Sequence, residues 1–201
     1  MQELNAADAG DDVIRSFIAI EITDEVRAGL KAEQDTLKKI GANVGWVAPA
    51  NIHLTLIFLG NIFQAQVDSL ARALDEAASQ YPPFTLEVAG TGFFGSANAP
   101  HVIWAGIKGS ESTLTDIQKQ LAGAVRALGF AVEEREFHPH LTLGRVRSRK
   151  KADELTSTLA LAKNTNYGLI DVRRLLLMQS HLEHQGVRYS VLHTSPLKGA
   201  Q

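Results

Sequence analysis

The chain has 201 residues, 45% hydrophobic and 21% charged, with a formal net charge of −2 and no cysteine. That length can bury a substantial core, and the near-neutral charge argues against a protein that coats duplex nucleic acid. The lack of cysteine excludes disulfides, thiolate nucleophiles and cysteine-based zinc sites; with no secretory leader or membrane-length apolar run, the chain reads as soluble and cytoplasmic.

Residues 1–12 are polar and acidic and read as a disordered lead-in, leaving 13–198 as a single domain. Phe17–Ile22 reads as a strand, and Thr23 followed by Asp24 and Glu25 caps a helix over 24–40 that Gly41 ends. A short extended piece at 44–47 leads past Pro49 to a strand over 52–59. Residues 64–80 form an Ala- and Leu-rich helix stopped by Pro82-Pro83. Strands at 84–89 and 101–107 flank a glycine-rich loop, 90–100. An amphipathic helix over 111–128 precedes a strand at 137–146, a short helix at 153–162, and closing strands at 167–180 (broken within) and 187–193. The order strand, helix, strand, helix, strand appears about twice. The expected fold is α+β, a bilobal pseudo-two-fold arrangement of two small, mostly antiparallel sheets, with helices on the outer faces and a central cleft.

One tetrapeptide occurs once in each half: His53-Leu54-Thr55-Leu56 and His140-Leu141-Thr142-Leu143. In a strand alternate side chains share a face, so each His sits beside its Thr while the leucines point to the core. A lone copy is most simply a solvated strand face. Two copies on facing strands make a site with two imidazoles and two hydroxyls. One neutral imidazole can act as base and one protonated imidazole as acid on either side of a phosphate, with the hydroxyls donating to its oxygens. The scheme needs no metal and no cofactor, and a strained 2′,3′-cyclic phosphate opened by water is its natural substrate.

These residues resemble the 2H phosphoesterases, and within them the bacterial and archaeal RNA 2′,3′-cyclic phosphodiesterases, also called 2′-5′ RNA ligases. The likeness extends to Arg15-Ser16-Phe17-Ile18-Ala19-Ile20, Trp46-Val47, Asn51-Ile52, Phe58-Leu59-Gly60, Val102-Ile103-Trp104, Pro139, Gly144-Arg145 and Arg188-Tyr189-Ser190-Val191-Leu192. It implies a bilobal fold and metal-independent hydrolysis of RNA 2′,3′-cyclic ends to 2′-phosphates. His53 and His140 are then the acid–base pair, His53 protonating the 3′ oxygen and His140 activating water, with Thr55 and Thr142 as oxyanion donors. It also implies reversible, ATP-independent RNA ligation. One departure stands out: Ile57, which strand parity puts beside His53 and Thr55, occupies a position where many relatives carry a basic residue. Arg145, a candidate phosphate contact, falls by the same parity opposite His140 and Thr142, and reaches the cleft only through a bulge, which Gly144 would permit, or at the strand's end.

Other patterns have plainer readings. The basic run Arg145, Arg147, Arg149, Lys150, Lys151, with Arg173-Arg174, is either a solvated turn or a local attraction for phosphate. His138, His140, His181 and His184 are spaced as turn histidines rather than a metal cluster. The segment Gly90–Gly95 lacks the strand-to-helix context of a dinucleotide loop. Trp46, Phe93, Phe94 and Trp104 are core aromatics or base-stacking surfaces. The rival functions are a phosphodiesterase of small cyclic or 2′-5′-linked nucleotides and a non-catalytic RNA-end binder. Partners are RNA ends or cyclic nucleotides, with no membrane and no obligate protein partner, so the chain reads as a monomer.

Overall fold

The computed structural model describes residues 12–183 and 186–199, so the lead-in reading of 1–11 and the ligand reading of His184 lie outside the described residues. Its elements run β1 (Val13–Glu21), α1 (Asp24–Lys38), β2 (Val44–Trp46), β3 (His53–Phe63), α2 (Val67–Ala78), β4 (Phe84–Ser96), β5 (Ala99–Lys108), α3 (Glu111–Ala127), β6 (His140–Val146), α4 (Ala152–Leu161), β7 (Asn166–Val172), β8 (Arg174–Glu183) and β9 (Gly186–Pro196), with single 3-10 turns before β3 and α2. The first helix follows a local signal. The Thr23 hydroxyl caps α1 by accepting from the Val26 amide, and Asp24 and Glu25 sit at its positive end.

The nine strands form one sheet, in the order β7-β4-β5-β6-β3-β1-β8-β9, with β2 also on β6. Two separate sheets are therefore not formed. The two halves of the repeat fuse where β6 meets β3, because each motif strand would otherwise leave a row of backbone donors and acceptors unpaired on a buried edge. The seam is a single antiparallel pair, Leu54 with Leu141. Past it β3 leaves, and β2 takes over the β6 ladder from Gly144 to Val146. The motif strands are thus neighbours rather than walls facing across a gap.

The glycine-rich segment is also strand. β4 continues to Ser96 and β5 begins at Ala99, joined by a two-residue turn at 97–98. Glycine permits this because the hairpin must bend at two register shifts, after Val88 and after Phe94. The core lies on the leucine face of the sheet: Leu54, Leu141 and Leu143 are fully buried, against Leu30, Leu37, Leu114 and Leu121 from α1 and α3. This leaves the His and Thr side chains on the other, concave face.

Candidate active site

The seam sets the geometry of the two motifs. Continuing the Leu54–Leu141 register places His53 across from Thr142 and Thr55 across from His140. The two histidines are then diagonal neighbours on adjacent strands, about 7–8 Å apart at Cα and somewhat closer at Cβ. That is space for one phosphate with an imidazole on each side.

Both rings are held the same way. His53 Nδ1 lies 2.7 Å from the Asn51 carbonyl oxygen and His140 Nδ1 lies 2.7 Å from that of His138. A carbonyl only accepts, so in each neutral ring Nδ1 carries the proton and Nε2 keeps its lone pair. His53 stacks on Phe17 (centroids 4.7 Å apart) and meets Tyr189 edge-on at 5.1 Å. His140 meets Phe94 edge-on at 4.9 Å, and Phe94 in turn leans on Trp104. Burial pushes both histidines below their ordinary value. The carbonyl bonds partly offset it, and at His140 the charges of Arg145 and His138 add to the lowering.

Two bulges decide what stands next along each motif strand. On β6, Trp104 pairs with Thr142 but Ile103 pairs with Gly144, so Leu143 is an extra residue. Arg145, opposite Val102, therefore lies on the same face as His140 and Thr142, and it lines the cleft with them. On β3, Ala19 pairs with Thr55 but Ile18 with Ile57, so Leu56 is the extra residue. Ile57 is then turned into the core, 2% exposed, and Phe58, 56% exposed, takes the cleft face. Parity alone misplaces the Ile57 side chain, which turns into the core although the residue borders the cleft. By the internal symmetry Phe58 is the counterpart of Arg145, so one half offers a ring where the other offers a guanidinium.

A buried amide supports the β6 bulge. Gln34 of α1, wholly buried, donates from Nε2 to the carbonyls of Val47 (2.8 Å) and Leu143 (2.9 Å). Gly144 is required where β2 crosses, since a Cβ there would stand 2.6 Å from Val44 Cγ1. The resulting cleft, about 510 Å³, runs from Thr55 and Phe58 past His140, Thr142 and Arg145 to Phe94, Val102 and the segment 132–138.

Of the remaining candidates, His138 and Phe94 border the cleft and the others separate from it. Arg173 pairs with Asp171, Arg174 with Glu21 and Lys151 with Glu154, and the Arg147 guanidinium covers Gly45. Of the basic run, only Arg145 lines the cleft. His181 bonds Ser190 Oγ, and His138 faces Glu136 at 3.7 Å; among the described residues no three His, Asp or Glu side chains converge on one point. Trp46 packs on the core and Phe93 beside it, whereas Phe94 lines the cleft. Gln34 carries no sequence signal of its own, and Asn51, Phe58 and Tyr189 enter the sequence reading only through the family likeness, with no role assigned to them. The apolar doublet Leu56-Ile57, which breaks alternation directly after a motif, is the one hint of a bulge.

The single curled antiparallel sheet with its helices agrees with what comparison with other proteins finds. Residues 19–183 match the 2′-5′ RNA ligase superfamily. The chain belongs to that superfamily. An RNA 2′,3′-cyclic phosphodiesterase of Aquifex aeolicus is 32% identical over 193 residues, covering 93% of this chain and 99% of the relative. One of Methanothermobacter thermautotrophicus is 30% identical over 177 residues, covering 88% and 95%. Those relatives are hydrolases. Among solved structures, TT0787 of Thermus thermophilus superposes with a TM-score of 0.76 at 25% identity, covering 94% of this chain and 100% of that one. Escherichia coli LigT complexed with 3′-AMP gives 0.76 at 24% identity, covering 92% and 99%, and shares the fold. No helix among the described residues is long and apolar enough to cross a membrane.

Proposed function

We propose that this chain hydrolyses RNA ends bearing a 2′,3′-cyclic phosphate to 2′-phosphates, with His53 and His140 as its catalytic acid and base. The carrying observation is the pair of Nδ1–carbonyl bonds, both 2.7 Å, which leave two Nε2 atoms free on one face. The activity of the relatives supports the substrate class.

In the reaction, His140 Nε2 takes a proton from water as the water oxygen bonds phosphorus. The bond from phosphorus to the 3′ oxygen breaks on the opposite side, and that oxygen receives the proton of His53. A 3′-hydroxyl and a 2′-phosphate result, so protons and charge balance. The charges near His140 support this direction of the assignment. Arg145 and His138 favour a neutral His140, as a base requires. His53 has no such cationic neighbour acting on it and gains a proton more readily once the phosphate anion lies beside it. Thr55 and Thr142 donate to the non-bridging oxygens, and Arg145 neutralises their charge. Phe58 faces the terminal base. A 5′-hydroxyl replacing the 3′ leaving group reverses the same step, which is ligation. Conversion of a cyclic-phosphate-ended oligonucleotide by wild type, and its loss in His53→Ala and His140→Ala, tests this assignment.

A further inference from the structure

Beyond the histidines, the concave face continues along β1 and β3. Cross-strand partners share a face, and the register pairs Phe17 with Phe58, Arg15 with Asn61 and Val13 with Phe63. Ile14 and Ile62, which lie between the last two pairs, are buried on the core side. A strip therefore leads out of the cleft from Phe58, across Arg15 and Asn61, to Phe63 and Val13. All five side chains are exposed, Phe63 by 44% and Val13 by 57%.

The composition of the strip selects its occupant. Two exposed rings on a sheet face with a cation between them match single-stranded nucleic acid, whose bases stack and whose phosphates need positive charge. Among the described residues no carboxylate pairs with Arg15, whereas Arg173, Arg174 and Arg188 each hold one. Spacing agrees. Leu59 is the extra residue of a further register shift, so Phe58 and Phe63 stand about four strand steps, roughly 13 Å, apart. Bases stacked on each other are about 3.4 Å apart. Bases on these two rings are therefore splayed, and the phosphate joining them crosses the middle of the strip.

Resting on the phosphodiesterase reading, we propose that this strip is a subsite for the nucleotide preceding the cyclic-phosphate-bearing one. Its base stacks on Phe63, and the linking phosphate lies against Arg15 and the Asn61 amide. The substrate class is thereby single-stranded RNA of at least two nucleotides rather than a mononucleotide.

The test compares kcat/KM for a dinucleotide ending in a 2′,3′-cyclic phosphate with that for a nucleoside 2′,3′-cyclic phosphate, in wild type, Arg15→Gln and Phe63→Ala. Wild type favours the dinucleotide at least about tenfold, and either substitution lowers that ratio about five- to tenfold, the low end for losing one stacked base. Arg15→Gln also makes the salt dependence for the dinucleotide shallower by about 0.7 in log–log slope. Equal kcat/KM for both substrates in wild type overturns the subsite alone, as does equal loss on both substrates in the variants. Inertness of wild type toward both overturns the phosphodiesterase reading beneath it. A concentration-dependent dimer that Phe63→Ala abolishes reassigns the strip to a second copy of the chain.

Discussion

Gln34 Nε2 donates to the carbonyl of Leu143 across 2.9 Å, joining a buried position of α1 to the one residue of β6 that interrupts the ladder. The same oxygen accepts from the Val47 amide at 2.9 Å. The bulge that brings Arg145 onto the face of His140 is thus satisfied from two sides. Gln34→Leu removes both side-chain N–H donors, taking from the Val47 carbonyl its bond to Gln34 and leaving the Leu143 carbonyl with the Val47 amide alone. Unfolding in denaturant should show a loss of about 1–3 kcal/mol, with kcat/KM falling as Arg145 loses its support. Arg145→Ala, at an exposed position, should lower kcat/KM with little change in the denaturation midpoint.

Close approach of β2 makes the second demand on that bulge. Gly144→Ala sets a methyl group 2.6 Å from Val44 Cγ1 and 3.2 Å from Trp46 Cε3. Overpacking of this kind costs about 1–3 kcal/mol. Thermal unfolding should show the loss, and adding Val44→Ala should recover part of it.

Both histidines sit below the ordinary imidazole value of about 6.5, chiefly through burial. The proposed mechanism needs His140 neutral and His53 protonated in the free enzyme, so the kcat/KM profile should be a bell centred on the acid side of 6.5. Arg145→Gln removes a cation that disfavours protonated His140, so its acid limb should move to higher pH. Stability follows with a definite sign. Between the folded values and 6.5 the unfolded chain binds more protons, so stability rises with pH across that window and is lost on acidification through it. His53→Gln and His140→Gln should each flatten this dependence in denaturation series between pH 5 and 7.

Away from the cleft, Asp75 Oδ1 of α2 accepts from Ser195 Oγ (2.6 Å) and lies 2.9 Å from His193 Nε2 on β9. A Ser, a His and an Asp meet here with the carboxylate between the other two, so the His cannot serve the Ser as base. The cluster ties a helix to an edge strand. Burial alone would raise the Asp75 carboxyl, yet the bonds from Ser195 and His193 bring it below its usual value. Asp75→Ala leaves the wholly buried Ser195 hydroxyl without its acceptor and should cost about 1–3 kcal/mol on denaturation, with the cyclic phosphodiesterase kcat/KM unchanged.

The helices and most strands were legible because their signals are local: Thr23 before Asp24 and Glu25, Gly41 and Gly129 at helix ends, alternation in both motifs. The two His-x-Thr pairs were legible because a repeat of that chemistry needs no tertiary information. Long-range pairing was not. Nothing local says that Leu54 meets Leu141, and a two-fold repeat reads equally as two sheets or as one sheet joined at its middle. Period-2 reasoning also fails at a bulge, and on β3 it sends the Ile57 side chain to the cleft and gives no reason to place Phe58 there. At Arg145 the neighbouring Gly144 marked where the parity could break. Gln34 stayed hidden because its polar side chain, on an otherwise apolar helix stripe, has its partners 13 and 109 residues away.

The proposed chemistry, two histidines opening a cyclic phosphate without a metal, is tested most directly by incubating wild type, His53→Ala and His140→Ala in excess chelator with an oligonucleotide ending in a 2′,3′-cyclic phosphate and resolving 2′- from 3′-phosphate products. Wild type should convert it to the 2′-phosphate, with a drop of at least about 10²-fold in each variant. Turnover surviving either substitution, a 3′-phosphate product, or wild-type activity abolished by chelator and restored by added metal would contradict it.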